Sequence, residues 1–359
     1  MADRSGRRPG KVRSLIRDRI KSKQLLFTVR ARASLGRTTD AGQTDGEPIL
    51  SYIDRAKLRN KANFSPFFHQ SPPLTLAALS GVVFVVLGLL AICTAVAAAG
   101  ERWNTLPPLP PMPVPESSGF APVNGIKMYY AVYGRGDPVL LIHGGLANSD
   151  YWANQIAALS KAHQVIVADS RGHGRSSWTA APVSYDLMAS DYVALLDHLK
   201  IAKAAIVGWS DGGIIGLDIA MHHPERVKRL FAQAANVTPD GVKPDLDKTP
   251  AFGAFIKRSA LEHERLSPAP QDNKAFLASI EKMWASEPNW RPAELSRIAV
   301  PTAIVTGDHD EAIWRAHTEM MARIIPGAKL IILKDVGHFA MLQDPEAYTK
   351  AVLAFLDGK

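Results

Sequence analysis

Cysteine is nearly absent from this 359-residue chain. Cys93 is the only one, which excludes an internal disulfide framework, a C-x-x-C redox pair and a zinc site built from clustered thiolates. Acidic charge is scarce over residues 1–61, where 6 Asp and Glu face 16 Lys and Arg, and residues 62–100 hold no Asp, Glu, Lys or Arg at all. Residues 101–359 carry 26 basic against 28 acidic side chains, so the formal charge of +8 belongs wholly to the front of the chain. A basic front suits anionic lipid or nucleic acid. No aromatic-interleaved RNA motif, zinc finger or helix-turn-helix pattern accompanies it, which points to membrane lipid and away from nucleic acid. Composition, 47% hydrophobic and 21% charged, is that of a folded protein.

What the front does have is a long apolar run. Residues 74–100 read LTLAALSGVVFVVLGLLAICTAVAAAG, 27 positions without a charge. About 20 such residues cross a hydrocarbon core as a helix, which alone among open-chain structures satisfies its own backbone in lipid. The run therefore predicts one transmembrane helix at 74–100, with Pro72 and Pro73 marking its start. A cleaved signal peptide has a short basic region and an apolar core of about 7 to 15 residues, unlike this arrangement. Arg55, Lys57, Arg59 and Lys61 precede the run closely while only Arg102 follows it. The positive-inside bias then leaves the tail 1–73 in the cytoplasm and everything after residue 100 on the extracytoplasmic side. Val12, Leu15, Ile16 and Ile20 fall at helical spacing among basic residues, so part of the tail could lie on the anionic inner leaflet; a disordered basic tail is the alternative. Six prolines between Pro107 and Pro115 make 101–118 an extended, semi-rigid spacer holding the folded part off the membrane.

From residue 119 onward, short β-branched runs alternate with helical patterns, the signature of βαβ units feeding a mostly parallel sheet with helices on both faces. Strands are expected at 128–133, 139–143, 164–169, 204–208, 227–233, 302–306 and 329–333. Helices are expected at 149–159, 185–199, 211–222, 311–325 and 345–356. Between Ala235 and Val300 no strand appears, only helical pieces at 254–263 and 273–284. An insertion of that length reads as a lid, with Phe252, Phe255, Phe276, Trp284 and Trp290 as an apolar lining or as glue.

Gly208, Trp209, Ser210, Asp211 and Gly212 match G-x-S-x-G between an expected strand and an expected helix, the context that gives the pattern meaning. Ser210 then sits on a sharp turn as an exposed nucleophile, and the helix after it directs free N–H groups at developing negative charge. A serine hydroxyl needs a base, and the base needs a carboxylate to fix its tautomer. His338 follows the last strand and Asp310 the one before it; Asp308 and Glu311 are rivals for the acid, and strand-loop spacing favours Asp310. A glycine loop, His143, Gly144, Gly145 and Leu146, follows an early strand. It offers the N–H of Gly145, or of Leu146, to pair with that of Asp211 as an oxyanion hole, each donor worth about 3 kcal/mol of transition-state stabilisation. His143 reads as structural. Trp209, Leu146, Trp284 and Asp211 stand where substrate would be touched. His222 and His223 close a helix before Pro224, and Asp308, His309 and Asp310 lack a matching second group, so no metal site is expected. This chemistry requires no cofactor.

HGG at 143, DSRGHGRS at 169–176, GWSDGG at 208–213, GDHD at 307 and GH at 337 together resemble the α/β-hydrolase superfamily over about residues 120–359. GWSDGG followed by Ala234, Ala235 and Asn236 is similar to valacyclovir hydrolase-like (biphenyl hydrolase-related) serine esterases, and more loosely to enol-lactonases. The resemblance implies an α/β-hydrolase fold, Ser210 with Asp310 and His338, and a helical cap at about 236–298. It also implies Asp211 as the group that recognises a substrate ammonium. The expectation is a membrane-anchored serine hydrolase cleaving a small ester or lactone through an acyl-enzyme. Carbon–carbon hydrolysis, perhydrolysis and a weakly catalytic ligand-binding protein on the same fold are the alternatives.

Overall fold

Residues 101–358, which the computed structural model describes, build one eight-stranded sheet. The expected span at 74–100 and the tail before it lie outside the described residues. Among the described residues no helix is long and apolar enough to cross a membrane. In chain order the strands are β1 (Ser117–Val123), β2 (Ile126–Tyr133), β3 (Asp137–Ile142), β4 (His163–Ala168), β5 (Ala204–Trp209), β6 (Val227–Gln233), β7 (Thr302–Gly307) and β8 (Lys329–Leu333). They lie side by side as β1-β2-β4-β3-β5-β6-β7-β8. β1 and β2 pair antiparallel, as do β2 and β4, and every other pair is parallel.

Every position of β5 and β7 is buried, as strands covered on both faces require. Alternation assigns the faces. Leu140, Ile142, Ile206 and Ile304 point to a layer formed by α2 (Tyr185–His198), α3 (Asp211–His222) and, farther along the chain, α7 (Arg315–Ile324). Val139, Leu141, Val207 and Val305 point to the opposite layer, formed by α1 (Ala153–Leu159) and the C-terminal helix α9 (Pro345–Leu356). A one-turn helix, α8 (Ala340–Gln343), precedes α9.

Between β6 and β7 rises the expected cap, with α4 (Pro250–Leu266), α5 (Asn273–Trp284) and the short α6 (Pro292–Leu295). Proline occupies the first turn of α4, α6 and α9, where no intrahelical N–H is lost. The cap is fastened by its aromatics: Phe255 joins the core on one side of the sheet and Phe276 with Ile280 and Met283 the core on the other. Phe252, Trp284 and Trp290 are left partly buried.

Sequence periodicity missed β1 and placed residues 101–118 in a spacer. The strand begins at Ser117, and Asn124 and Gly125, both at positive φ, turn it tightly into β2. The stretch before it lies along the body. Leu106, Leu109 and Met112 recur every third residue, the repeat of a polyproline helix, and all three pack against the core on the α9 side.

Candidate active site

Ser210 occupies the corner between β5 and α3 with φ 54° and ψ −120°, a strained conformation for an L-residue. Its neighbours allow the corner. A Cβ on Gly208 would overlap the Gly212 carbonyl, and one on Gly212 the Ile142 carbonyl. The Ser210 N–H donates to the Gln233 carbonyl at 2.8 Å.

His338 lies in the loop after β8, 1% exposed, and its Nδ1 is 3.1 Å from Oδ1 of Asp310. Burial pushes the Asp310 carboxyl up, but the His338 charge, the His338 hydrogen bond and the N–H groups of Ile313 and Ala312 hold it below the usual carboxylate range. Thr306 Oγ1 donates to its other oxygen at 3.1 Å. An ionised Asp310 can only accept, so Nδ1 of His338 carries the proton and Nε2 is left as an acceptor. Burial pulls the imidazole down, yet Asp310, with Glu311 and Asp211 beyond it, raises it above its ordinary value.

The two rival acids serve the loop instead. Glu311 Oε2 accepts the His338 backbone N–H at 2.9 Å, and Asp308 Oδ1 accepts that of Val336 at 3.3 Å. Gln233 is a residue that sequence reasoning passed over. Its carbonyl holds the Ser210 N–H while its Nε2 donates to the His338 carbonyl at 3.2 Å, so one residue at the end of β6 ties the serine corner to the histidine loop. The rings of Trp209 and Phe252 lie 5.9 and 5.1 Å from the imidazole.

The glycine loop approaches the corner closely: a Cβ on Gly144 would stand 3.1 Å from Cβ of Ser210. One on Gly145 would meet Asp211 Oδ2 and the Trp284 ring at 2.5 Å. Asp211 opens a helix of 12 residues, where its N–H has no partner within the helix. His143 supports the loop from beneath, its Nε2 accepting the Ser170 N–H at 2.9 Å and its Nδ1 facing the Gly144 carbonyl at 2.7 Å. Burial lowers its pKa to about 4, which keeps it neutral. Leu146, at φ 59°, borders a cavity of about 90 Å³ that Ala147, Ile256, Ala260, Phe276 and Leu277 also line.

Of the four residues expected to touch substrate, Leu146 borders that cavity and Trp284 reaches down from α5. Trp209 is 1% exposed and packs in the core against Tyr151, Phe255 and Phe339. Asp211 is buried, with Oδ1 accepting from the Tyr185 hydroxyl and Oδ2 from the Trp284 indole, both at 2.9 Å. Burial raises its pKa against the opposing pull of those two hydrogen bonds. Two groupings, Asp186–Asp218–His222 and Asp308–His309–Asp335, bring possible ligand atoms within 4.8 Å of one another. His222 is paired with Asp218 at 2.9 Å and His309 is stacked on Trp103.

Comparison with known proteins places this geometry in context. Residues 137–257 match the family described as alpha/beta hydrolase fold. The chain is 30% identical over 268 residues to 3-oxoadipate enol-lactonase 2 of Acinetobacter baylyi, covering 68% of this chain and 98% of that protein. It is 29% identical to a putative carbamate hydrolase of Pseudomonas savastanoi, over 62% of this chain and 95% of that one. Among solved structures, an enzyme described as degrading N-acyl homoserine lactones superposes with a TM-score of 0.55 at 29% identity, covering 67% of this chain and 100% of that one. These relatives carry the hydrolase resemblance and not the finer one to valacyclovir hydrolase-like esterases.

Proposed function

The chain belongs to the α/β-hydrolase family, and we propose that it is a serine hydrolase that cleaves a small ester or lactone through an acyl-enzyme. The observation that carries this reading is the 3.1 Å contact of His338 Nδ1 with Asp310, taken together with a serine held on a strained corner that Gln233 links to the histidine loop. Nε2 of His338 takes the Ser210 proton as Oγ attacks the carbonyl carbon. The N–H groups of Asp211 and Gly145 receive the oxyanion. Collapse expels the alcohol, which takes its proton from the imidazolium. Water, deprotonated by the same imidazole, then releases the acid and restores the serine. The lactonase and the lactone-degrading enzyme among its relatives support a compact ester or lactone.

A fluorophosphonate probe tests the reaction class. The wild-type protein should label and Ser210→Ala should not; folded wild-type protein that stays unlabelled would favour a ligand-binding role. A panel of p-nitrophenyl esters and small lactones then ranks substrates by kcat/KM.

The apolar run at 74–100 supports a single-pass anchor with the hydrolase outside the cytoplasm, and the basic tail supports anionic lipid as its inner partner. Arg102 already contacts the hydrolase body. An anchor ending at residue 100 would therefore hold the histidine-bearing rim near the bilayer, rather than at the end of a long spacer. Protease added to intact spheroplasts should digest the hydrolase; protection would reverse the orientation.

A further inference from the structure

The segment between the apolar run and β1 does more than connect them. Arg102 donates through Nε to the Asp335 carbonyl at 2.8 Å and pairs with Asp344 at 2.9 Å. Trp103 stacks flat on His309, the residue before Asp310, with ring centroids 3.7 Å apart and planes 5° from parallel. Gln343, 7% exposed, sits between this segment and the histidine loop. Its Nε2 donates to the Trp103 and Thr105 carbonyls at 3.0 and 2.9 Å, and its Oε1 accepts the Gly337 N–H at 2.6 Å. Arg258 of cap helix α4 donates to the Leu106 carbonyl at 2.9 Å.

These contacts share a target. They end on the loop that carries His338, on the loop that carries Asp310, on the start of α9 just beyond, and on the cap. The histidine loop needs outside support, because Asp335 is at φ 54°, a region L-residues rarely occupy. Gly337 also leaves little space there: a Cβ on it would lie 2.5 Å from Glu311 Oε2 and 3.2 Å from the Trp103 carbonyl.

We propose that residues 102–106 are a strap that positions the His338 loop for catalysis, acting through Gln343 and through the Trp103–His309 stack. Gln343 is a positioning residue: it touches neither Ser210 nor the imidazole, and it fixes the backbone one residue before His338. The strap follows directly on the apolar run, so the part of the chain nearest the expected anchor also shapes the reacting end of the site. The proposal rests on the reading of Ser210, Asp310 and His338 as the reacting groups.

The test uses the full-length protein, with active sites titrated by fluorophosphonate and p-nitrophenyl acetate as substrate. In Gln343→Ala and Trp103→Ala, kcat per titrated site should fall about 10- to 100-fold, as small misplacements of a catalytic group do, with KM little changed. The acid limb of the rate profile should move to lower pH, because a loosened Asp310 contact raises the imidazole less; Glu311 and Asp211, the other carboxylates facing His338, are untouched by either change. Trp103→Phe, which keeps an aromatic face for His309, should recover most of the rate. Arg135→Ala, on an exposed ion pair with Glu116, should match wild type. Unchanged kcat and pH profile per site in both alanine variants would overturn the strap, even if their thermal stability falls. If Gln343→Ala yields no folded protein, Trp103→Ala against Trp103→Phe decides on the same readouts. Wild-type protein that neither labels nor hydrolyses defeats the serine-hydrolase reading and the strap with it, whereas labelled wild type with indifferent variants defeats the strap alone.

Discussion

The indole N–H of Trp284 donates to Oδ2 of Asp211 at 2.9 Å, joining the last residue of cap helix α5 to the residue after Ser210. One buried carboxylate thus links the lid to the helix end proposed to receive the oxyanion. Trp284→Phe keeps the ring and removes the donor. It should destabilise the protein by about 1–3 kcal/mol, the penalty for leaving part of a buried carboxylate unpaired, as read by chemical denaturation.

The same pairing bears on substrate charge. With both oxygens of Asp211 already accepting hydrogen bonds from Tyr185 and Trp284, an ammonium would have to share or displace them. Wild type should therefore show little preference for aminoacyl esters over p-nitrophenyl esters of similar size, and Asp211→Asn should leave that ratio nearly unchanged. A strong aminoacyl preference lost in Asp211→Asn would instead assign the carboxylate to substrate.

The pH dependence follows from His338. In the proposed mechanism the neutral imidazole is the base, and its pKa lies above the ordinary value, the lowering by burial being outweighed chiefly by Asp310. Hydrolysis should therefore decline, as pH falls, at a higher pH than for an unperturbed histidine. Asp310→Asn removes the largest raising influence and the tautomer lock together. Its acid limb should shift to lower pH while kcat drops by about 10⁴, measurable in a pH–rate series.

Gln233 joins the serine corner to the histidine loop through its backbone and its side chain separately. Gln233→Ala keeps the first contact and deletes the second. Stability should fall by about 1–3 kcal/mol for the unpaired buried His338 carbonyl, and kcat should fall more than KM rises.

Beneath the site, Arg171 makes two 2.7 Å hydrogen bonds to Asp191 of α2, both side chains almost fully buried. Burial raises the Asp191 carboxyl against the pull of the guanidinium. Arg171→Met should destabilise by about 3–5 kcal/mol because it strands a buried carboxylate. Adding Asp191→Leu should recover part of that loss in a double-mutant cycle.

The parallel strands, the corner at Ser210 and the order Ser210, Asp310, His338 could all be read along the chain. Strands buried on both faces leave unbroken apolar runs, and a nucleophile corner needs glycine at fixed offsets. The helix expected at 311–325 begins at Arg315, because the N–H groups of Ala312 and Ile313 turn back to Asp310. β1 carried a legible sign in Asn124–Gly125, but its alternation is short and abuts a proline-rich stretch. Gln233, Gln343 and Tyr185 carried none, since their importance lies in partners 105, 240 and 26 residues away along the chain.

Local pattern settled which elements form and which chemistry-bearing side chains sit at strand ends, because periodicity and turn sterics act between near neighbours. Packing alone turned Glu311 and Asp308 to backbone N–H groups of the histidine loop, buried Trp209 in the core, locked Asp211 to the cap and laid residues 102–106 across the loops of Asp310 and His338. Those outcomes depend on which distant surfaces meet, and the spacing of residues along a chain carries no record of that.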